Sequence, residues 1–490
     1  MTEHVDVLIV GAGLSGIGAA CHLEERRPGT SYLVLEARDA IGGTWDLFRY
    51  PGIRSDSDMF TMGYRFRPWT DSRSLADGTS ILRYVRDTAT AYGVDEHVRY
   101  RHRVVGADWS SQDATWTVTV DHDGEVTTYT CGFLWCCSGY YRYDRGYLPE
   151  FAGVDDFEAV GGTVVHPQHW PEDLDWTGRR VVVVGSGATA VTLVPALAEQ
   201  AAHVTMLQRS PSYVLSVPAT DPIDAKLLAR LPAKQAYAIA RWKHVLIATG
   251  FYKLSRWRPE WAKALLRKGV AGALPAGYDV DTHFNPVYDP WDQRMCFVPD
   301  GDLFKAVRRG DADVVTDRID RFTPTGLRLE SGREIEADVV VTATGLNLLA
   351  FGGMTLSVDG DEVALPETMA YRGMLLSGVP NFAYVVGYTN ASWTLKADLV
   401  AEYVCRLLAH LDRHGYDAVV ADREDDVTEE PFLDFSSGYV QRSLHLLPKQ
   451  GSRTPWRLRQ SYLHDLRTLR RAPLDDGVLR WSRVHERASA

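Results

Sequence analysis

The chain of 490 residues holds only six cysteines. Six are too few for a disulfide framework, and a chain this long builds several hydrophobic cores without one. At roughly 150 residues per domain, there is room for about three domains. Cys136 and Cys137 are adjacent in an apolar run and read as buried, inert thiols. Cys131 and Cys136 have CxxxxC spacing, but residues five apart on a strand point to opposite faces, which argues against a redox pair. No Cys/His spacing suits zinc, so no metal is expected. Surplus positive charge is missing too: Lys+Arg is 53 against Asp+Glu 64, a net charge of −11. That balance opposes a nucleic-acid partner. There is no apolar run long enough to span a bilayer. The nearest stretch, residues 236–252, is broken by Arg241, Lys243 and His244. It reads as a buried or amphipathic helix, with peripheral contact to a membrane surface as the alternative. Asp6 interrupts the first apolar stretch and Gly11 ends it, so no signal peptide is read and a cytoplasmic location is expected.

Glycine, by contrast, is plentiful at 41 residues, and its placement is informative. Residues 5–10 (VDVLIV) read as a buried parallel strand. GAGLSG follows at 11–16, then a helix over 17–25 and a second strand, 32–35, ending at Glu36. Gly11 permits the tight turn, Gly13 lets backbone approach a pyrophosphate, and Gly16 allows close helix–strand packing. The helix N-terminus offers free N–H groups to phosphates, and Glu36 is placed to accept from ribose hydroxyls. The pattern recurs about 175 residues later: strand 180–184, GSGATA at 185–190, a helix over 191–200 and strand 204–207. Gly185 and Gly187 take the first two glycine positions and Ala190 the third. No acid follows the second strand; Gln208-Arg209-Ser210 stands there instead. An arginine pairs with a 2′-phosphate, whereas a carboxylate would repel it, so NADPH is expected over NADH.

Gly42-Gly43-Thr44-Trp45 and the strand ending at Ser138-Gly139 resemble the corresponding turns of the two-dinucleotide flavoproteins, which implies FAD at the first site. Glutathione-reductase-like flavoproteins carry a cysteine pair soon after that glycine pair. Here none lies between Gly43 and Cys131, which turns the expectation toward oxygen as electron acceptor. Residues 160–171 (VGGTVVHPQHWP) resemble the FxGxxxHxxxW(P/D) fingerprint of Baeyer–Villiger monooxygenases. Gly162, His166, Trp170 and Pro171 match, while Val160 replaces the phenylalanine. Tyr50-Pro-Gly-Ile-Arg-Ser-Asp56 resembles that family's YPGxRxD segment. The resemblance extends over essentially the whole chain and is closest to the bacterial ethionamide-activating members.

The fold class implied is α/β, with two Rossmann-like dinucleotide-binding domains and a helical insertion. The expected layout is 1–147 with 346–490 for FAD, 148–213 with 295–345 for NADPH, and 214–294 for the insertion. By the same resemblance Arg294 is the catalytic arginine that stabilises a C4a-peroxyflavin, and Asp56 holds its orientation. The cofactor contacts implied around the first site are Gly11, Gly13, Ser15, Gly16, Glu36, Gly43, Thr44, Trp45, Asp46, Leu47, Arg54, Ser55, Asp56 and Val104, with Arg54 and Asp56 beside the flavin and near the nicotinamide. The NADPH contacts implied are Gly185, Ser186, Gly187, Ala188, Thr189, Ala190, Arg209 and Ser210. His166 is expected to organise the linker between the domains. Trp393, Phe60 and Tyr64 are candidates for an apolar substrate pocket, with core packing the alternative. The implied activity uses O2 to insert oxygen into a ketone, or to oxidise the sulfur of a thioether or thioamide. An N-hydroxylating monooxygenase and a non-oxygenating electron-transfer flavoprotein are the alternatives. No motif specifies an oligomeric state or the natural substrate.

Overall fold

A computed structural model describes residues 2–433 and 435–484. Two sheets organise the molecule. The larger has a parallel centre, in which Glu3–Val10 lies between Tyr32–Leu35 and Glu125–Cys136. Val7, Leu8 and Ile9 are wholly buried, as expected for a strand covered on both faces. An antiparallel meander, His102–Ser110, Thr115–His122 and Glu125–Cys136, extends this sheet. Two strands from far along the chain complete it: Thr355–Val358 beside the meander, and Phe382–Tyr384 beside Leu134–Cys136. The sheet is therefore built from both ends of the sequence.

The second sheet has five strands, all parallel, in the spatial order Ala312–Thr316, His203–Gln208, Arg180–Val184, Val339–Thr342, Thr163–Val165. The helices after the two glycine turns run Leu14–Arg26 and Ala188–Leu197. Each starts about three residues earlier than periodicity suggests, because the helix begins inside the glycine motif. The insertion is helical, with helices Pro222–Arg230, Ala233–Trp257 and Pro259–Ala273. Its ends are clamped by a two-stranded parallel pair, Val214–Val217 with Cys296–Pro299. Among the described residues no helix is long and apolar enough to cross a membrane.

One strand-face expectation fails. Cys131 and Cys136 pack into the same hydrophobic layer, with Val5, Leu8 and Val10. Strict alternation would put Val5 and Leu8 on opposite faces. The pattern slips at Asp6 and Gly132, where the two strands lose a register pair. Separation keeps the thiols apart: five residues of strand span about 16 Å. Both are buried, and burial pushes the Cys136 thiol up to about 11.

Candidate functional site

The two glycine turns are built alike. Gly11 (φ +100°) and Gly185 (φ +145°) each end a central strand in a backbone region that L side chains avoid. A Cβ on Gly11 would stand 2.9 Å from the carbonyl oxygen of Cys137, and one on Gly185 would stand 2.4 Å from that of Ala343. Each glycine thus lets a neighbouring strand end pass directly behind its turn. Gly16 is equally constrained, since a Cβ there would lie 1.8 Å from the Gly11 carbonyl oxygen.

The first turn and, after the second, the helix start at Ala188 and Thr189 open on one cleft of about 680 Å³, while Gly185, Ser186 and Gly187 stand outside its lining. Its walls include Gly11, Gly13, Ser15, Glu36, Gly43, Thr44, Trp45, Arg54, Ser55, Asp56 and Val104 from the first unit. Ala188, Thr189 and Arg294 come from the second unit and the insertion. At the first turn, Gly13 and Gly43 face each other backbone to backbone: a Cβ on Gly43 would reach within 3.0 Å of the Gly13 Cα. Glu36 is buried, and its carboxylate accepts from the backbone N–H of Ala12 (2.7 Å) and of Arg38 (2.9 Å). Burial raises its pKa, against the pull of those two bonds. A backbone saddle beside a fixed acceptor suits the pyrophosphate and ribose of a dinucleotide.

Three residues expected at the first site stand behind the cleft wall: Gly16, Asp46 and Leu47. Asp46 is 3 % exposed and clamped by Arg38 (2.6 Å) and Arg86 (2.9 Å), so it braces the Gly43 turn. Leu47 packs with the core of the second unit. Ser15 accepts from the Trp393 indole N–H at 2.7 Å, and that indole stacks flat on Tyr140 at 5.2 Å. Trp393 therefore lines the cleft, whereas Phe60 and Tyr64 are wholly buried and belong to the core.

At the second turn, Gly187 has no atom within 4 Å of its Cβ position, leaving open space at the N-terminus of Ala188–Leu197. Ala190 is buried in the core beneath it. Ser186 Oγ pairs with Ser212 Oγ at 2.9 Å. Gln208 turns inward, donating to the His283 carbonyl (2.8 Å) and to Thr316 Oγ1 (2.9 Å). Arg209 and Ser210 are exposed outside the cleft. Arg442 was not anticipated here. Its guanidinium lies 3.5 Å over the Tyr147 ring, and Tyr147 hydrogen-bonds to Gly345 behind the second turn. Burial lowers its pKa, and Arg209 adds to that by like charge. No acid pairs with either arginine among the described residues. An anion placed between two unpaired guanidinium groups would be well matched.

Arg294 reaches the cleft from the end of the insertion, two residues before the clamping strand Cys296–Pro299. Asp56 Oδ2 lies 3.6 Å from its Nε, and 39 % of its side chain is accessible because it faces the cleft. The Asp56 carboxylate holds the guanidinium more firmly charged than usual. Three tyrosines not foreseen from the sequence, Tyr140, Tyr141 and Tyr439, gather around this cation. Tyr140 and Tyr141 hydroxyls are 3.1 Å apart. Burial raises the pKa of all three, so they remain neutral donors. Arg54, two residues before Asp56, faces the cleft but is forked onto Asp302 (2.5 and 3.3 Å).

His166 stands apart from the reactive end. Its Nε2–H donates to the Gly345 carbonyl at 3.2 Å, and its Nδ1 accepts from the Gln168 N–H at 3.2 Å. Burial lowers its pKa. Gly146 packs against its ring so closely that a Cβ would overlap it. The imidazole thus ties linker residues 146 and 168 to the turn behind Gly185.

Comparison with known proteins places the chain in a family. A family model described as flavin-binding monooxygenase-like matches residues 4–235. The chain is 58 % identical over 485 residues to the FAD-containing monooxygenase EthA of Mycobacterium tuberculosis, covering 99 % of each. It is 54 % identical to EthA of Mycolicibacterium smegmatis, over all of this chain and 99 % of that one. Among solved structures, an oxidised steroid monooxygenase bound to NADP superposes with a TM-score of 0.72 at 24 % identity, covering 85 % of this chain and 88 % of that one.

Proposed function

Because the chain belongs to the FAD-containing, flavin-binding monooxygenase family, we propose that it is an FAD- and NADPH-dependent monooxygenase of Baeyer–Villiger type. It inserts one atom of O2 beside a ketone carbonyl, giving an ester or lactone, and oxidises sulfur in thioethers or thioamides. The observation that carries this is the Asp56–Arg294 pair, set in the cleft that the first glycine turn and the start of the helix Ala188–Leu197 both line. When bound, FAD accepts electrons from NADPH and delivers them to oxygen; the protein supplies binding, charge and exclusion of water.

FAD fits the first turn. The Gly13–Gly43 saddle receives the pyrophosphate, Glu36 accepts from the ribose hydroxyls, and Val104 flanks the cleft wall nearby. NADPH fits the second turn, with phosphates on the N-terminus of Ala188–Leu197 and the 2′-phosphate against Arg209. Residues 1–147 with 346–490 form the flavin half, 148–213 with 295–345 the NADPH half, and 214–294 the insertion.

Arg294 contributes a fixed positive charge to the negative charge that develops on oxygen during insertion. Asp56 holds its Nε edge, leaving the terminal nitrogens toward the cleft. Such a preorganised donor would have its greatest effect on rate once bound cofactors and substrate exclude water from the cleft. Tyr140 and Tyr141 are neutral and line the cleft beside that charge, with Tyr439 bonded to Tyr140 behind them, so they orient the substrate without competing for protons. Linear and cyclic ketones and thioethers, offered with NADPH and O2 to the purified holoenzyme, test the assignment. Products should gain one oxygen atom, and 18O2 should label them. NADPH oxidation yielding only hydrogen peroxide with every substrate would overturn it.

A further inference from the structure

The helix Ala233–Trp257 is anchored by one face. Ala236, Tyr237, Ala240, Arg241, Val245 and Ser255 are buried. Arg241 donates to the carbonyls of Phe60 (2.8 Å) and Gly63 (2.7 Å) and pairs with Asp398 at 3.3 Å. The opposite face ought to be polar, yet it is apolar. Ile239, Trp242, Leu246, Leu254 and Trp257 recur at helical spacing along it, and Trp261 and Leu265 continue the stripe onto the next helix. Leu246 is 57 % exposed and Trp257 70 %. Scattered apolar residues on a surface need no explanation, but a continuous stripe marks a contact.

Its charge says with what. Residues 225–259 contain eight Lys and Arg and no Asp or Glu, in a chain whose net charge is −11. Lys226, Arg230, Lys234, Lys253 and Arg258 are exposed, with no ion pair among the described residues. Arg258 caps the Trp257 ring at 4.6 Å. An apolar stripe bearing tryptophan and flanked by cations is the pattern of an interfacial element on anionic lipid. A second copy of this chain fits poorly, because a two-fold interface would set the two basic faces against each other.

We propose that the face formed by helices Ala233–Trp257 and Pro259–Ala273 docks the enzyme on the surface of an anionic lipid bilayer. Tryptophan and leucine side chains enter the headgroup boundary, and the lysines and arginines lie against the lipid phosphates. The insertion thereby holds the enzyme where apolar substrates are concentrated.

Flotation of the FAD-loaded enzyme with vesicles tests this. Phosphatidylcholine vesicles are compared with and without phosphatidylglycerol. The wild type should float with the anionic vesicles and release as salt rises. Leu246→Gln with Trp257→Gln changes only exposed side chains and should cut binding about tenfold. Lys234→Glu with Lys253→Glu should abolish the preference for anionic lipid. Both variants should consume NADPH at the wild-type rate with a water-soluble ketone. Absence of flotation, or flotation undiminished in the Leu246/Trp257 variant, would overturn the proposal. So would a dimer in sedimentation velocity that this variant dissociates while vesicles bind nothing, since the stripe would then be a self-interface.

Discussion

Replacing Arg294 with alanine should uncouple NADPH consumption from oxygen transfer. The guanidinium faces the cleft, and its one acidic partner among the described residues is Asp56, 3.6 Å from Nε. Loss of one preorganised donor to developing negative charge costs about 2.7–4 kcal/mol, or roughly 10²–10³ in rate. The loss should fall at the upper end, because Asp56 would be left without its counter-charge beside the reacting oxygen. At an effective dielectric near 20, a charge about 4 Å away contributes about 4 kcal/mol, reduced where solvent reaches the pair. Hydride transfer to the flavin does not use this charge, so NADPH oxidation should continue and hydrogen peroxide should replace the ester. The assay follows NADPH absorbance, peroxide and product mass in one reaction. Arg294→Lys keeps a positive charge without the planar fork and should recover part of the coupling. An unchanged yield of oxygenated product per NADPH in the alanine variant would refute the role given to Arg294.

Arg209→Ala and Arg442→Ala should each raise the KM for NADPH about tenfold, roughly 1.4 kcal/mol, and leave that for NADH unchanged. If Arg442→Ala raises both equally, its stacking on Tyr147 is structural only. His166 should make stability sensitive to acid. Burial lowers its pKa in the folded state, so below about 6.5 the unfolded chain binds the extra proton. Stability from the neutral ring is complete above that pH and is lost as pH falls through it. His166→Gln should flatten the decline in Tm between neutral and mildly acidic pH; an identical slope would exclude His166 as the cause. Gly52→Ala should loosen the contact between the two units. Gly52 has φ +75°, and a Cβ there would lie 2.8 Å from the Ala196 Cβ and 3.0 Å from the Thr192 carbonyl oxygen. Left-handed backbone costs about 1–2 kcal/mol and overpacking about 1–3 kcal/mol. Urea unfolding should show a loss within their sum, and a wild-type midpoint would contradict the packing.

What was legible in the sequence follows from how each feature is specified. The glycine turns are readable because backbone geometry permits nothing larger: at Gly11 and Gly185 any side chain meets a carbonyl. Glu36 is readable because strand, turn and helix lengths fix its distance from the turn. The surroundings of Arg294 carry no such local signature. Tyr439 arrives from a short helix near the C-terminus, and Tyr140 follows the first sheet's central strand. Only the closed fold brings them to one cation. Asp302 on Arg54 and Arg442 beside Arg209 are partners of the same kind, chosen by tertiary structure across more than 200 residues of sequence. Asp46 shows the converse: its place next to the glycine pair suggested a ligand contact, but Arg38 and Arg86 occupy its carboxylate.

The insertion joins these observations. Its last residues deliver Arg294 to the cleft, and its first strand is paired in register with the strand that follows the insertion, Val214 with Cys296 through Val217 with Pro299. Arg241 ties its long helix to the backbone of residues 60–63, close in sequence to Asp56. Both members of the Asp56–Arg294 pair are therefore positioned by the docking of one helix. A change at Arg241 should act on the reactive centre without touching it. Arg241→Met would leave the Phe60 and Gly63 carbonyls without their buried donor and remove one partner of Asp398, which keeps His22 and the Arg65 N–H, so the loss should fall toward the lower end of the roughly 3–5 kcal/mol for a broken buried pair. It should lower coupling of NADPH to product more than it lowers the rate of flavin reduction, because the glycine turns lie on other elements. Equal loss in both half-reactions would mean that the insertion supports the fold as a whole and does not set the geometry of Arg294.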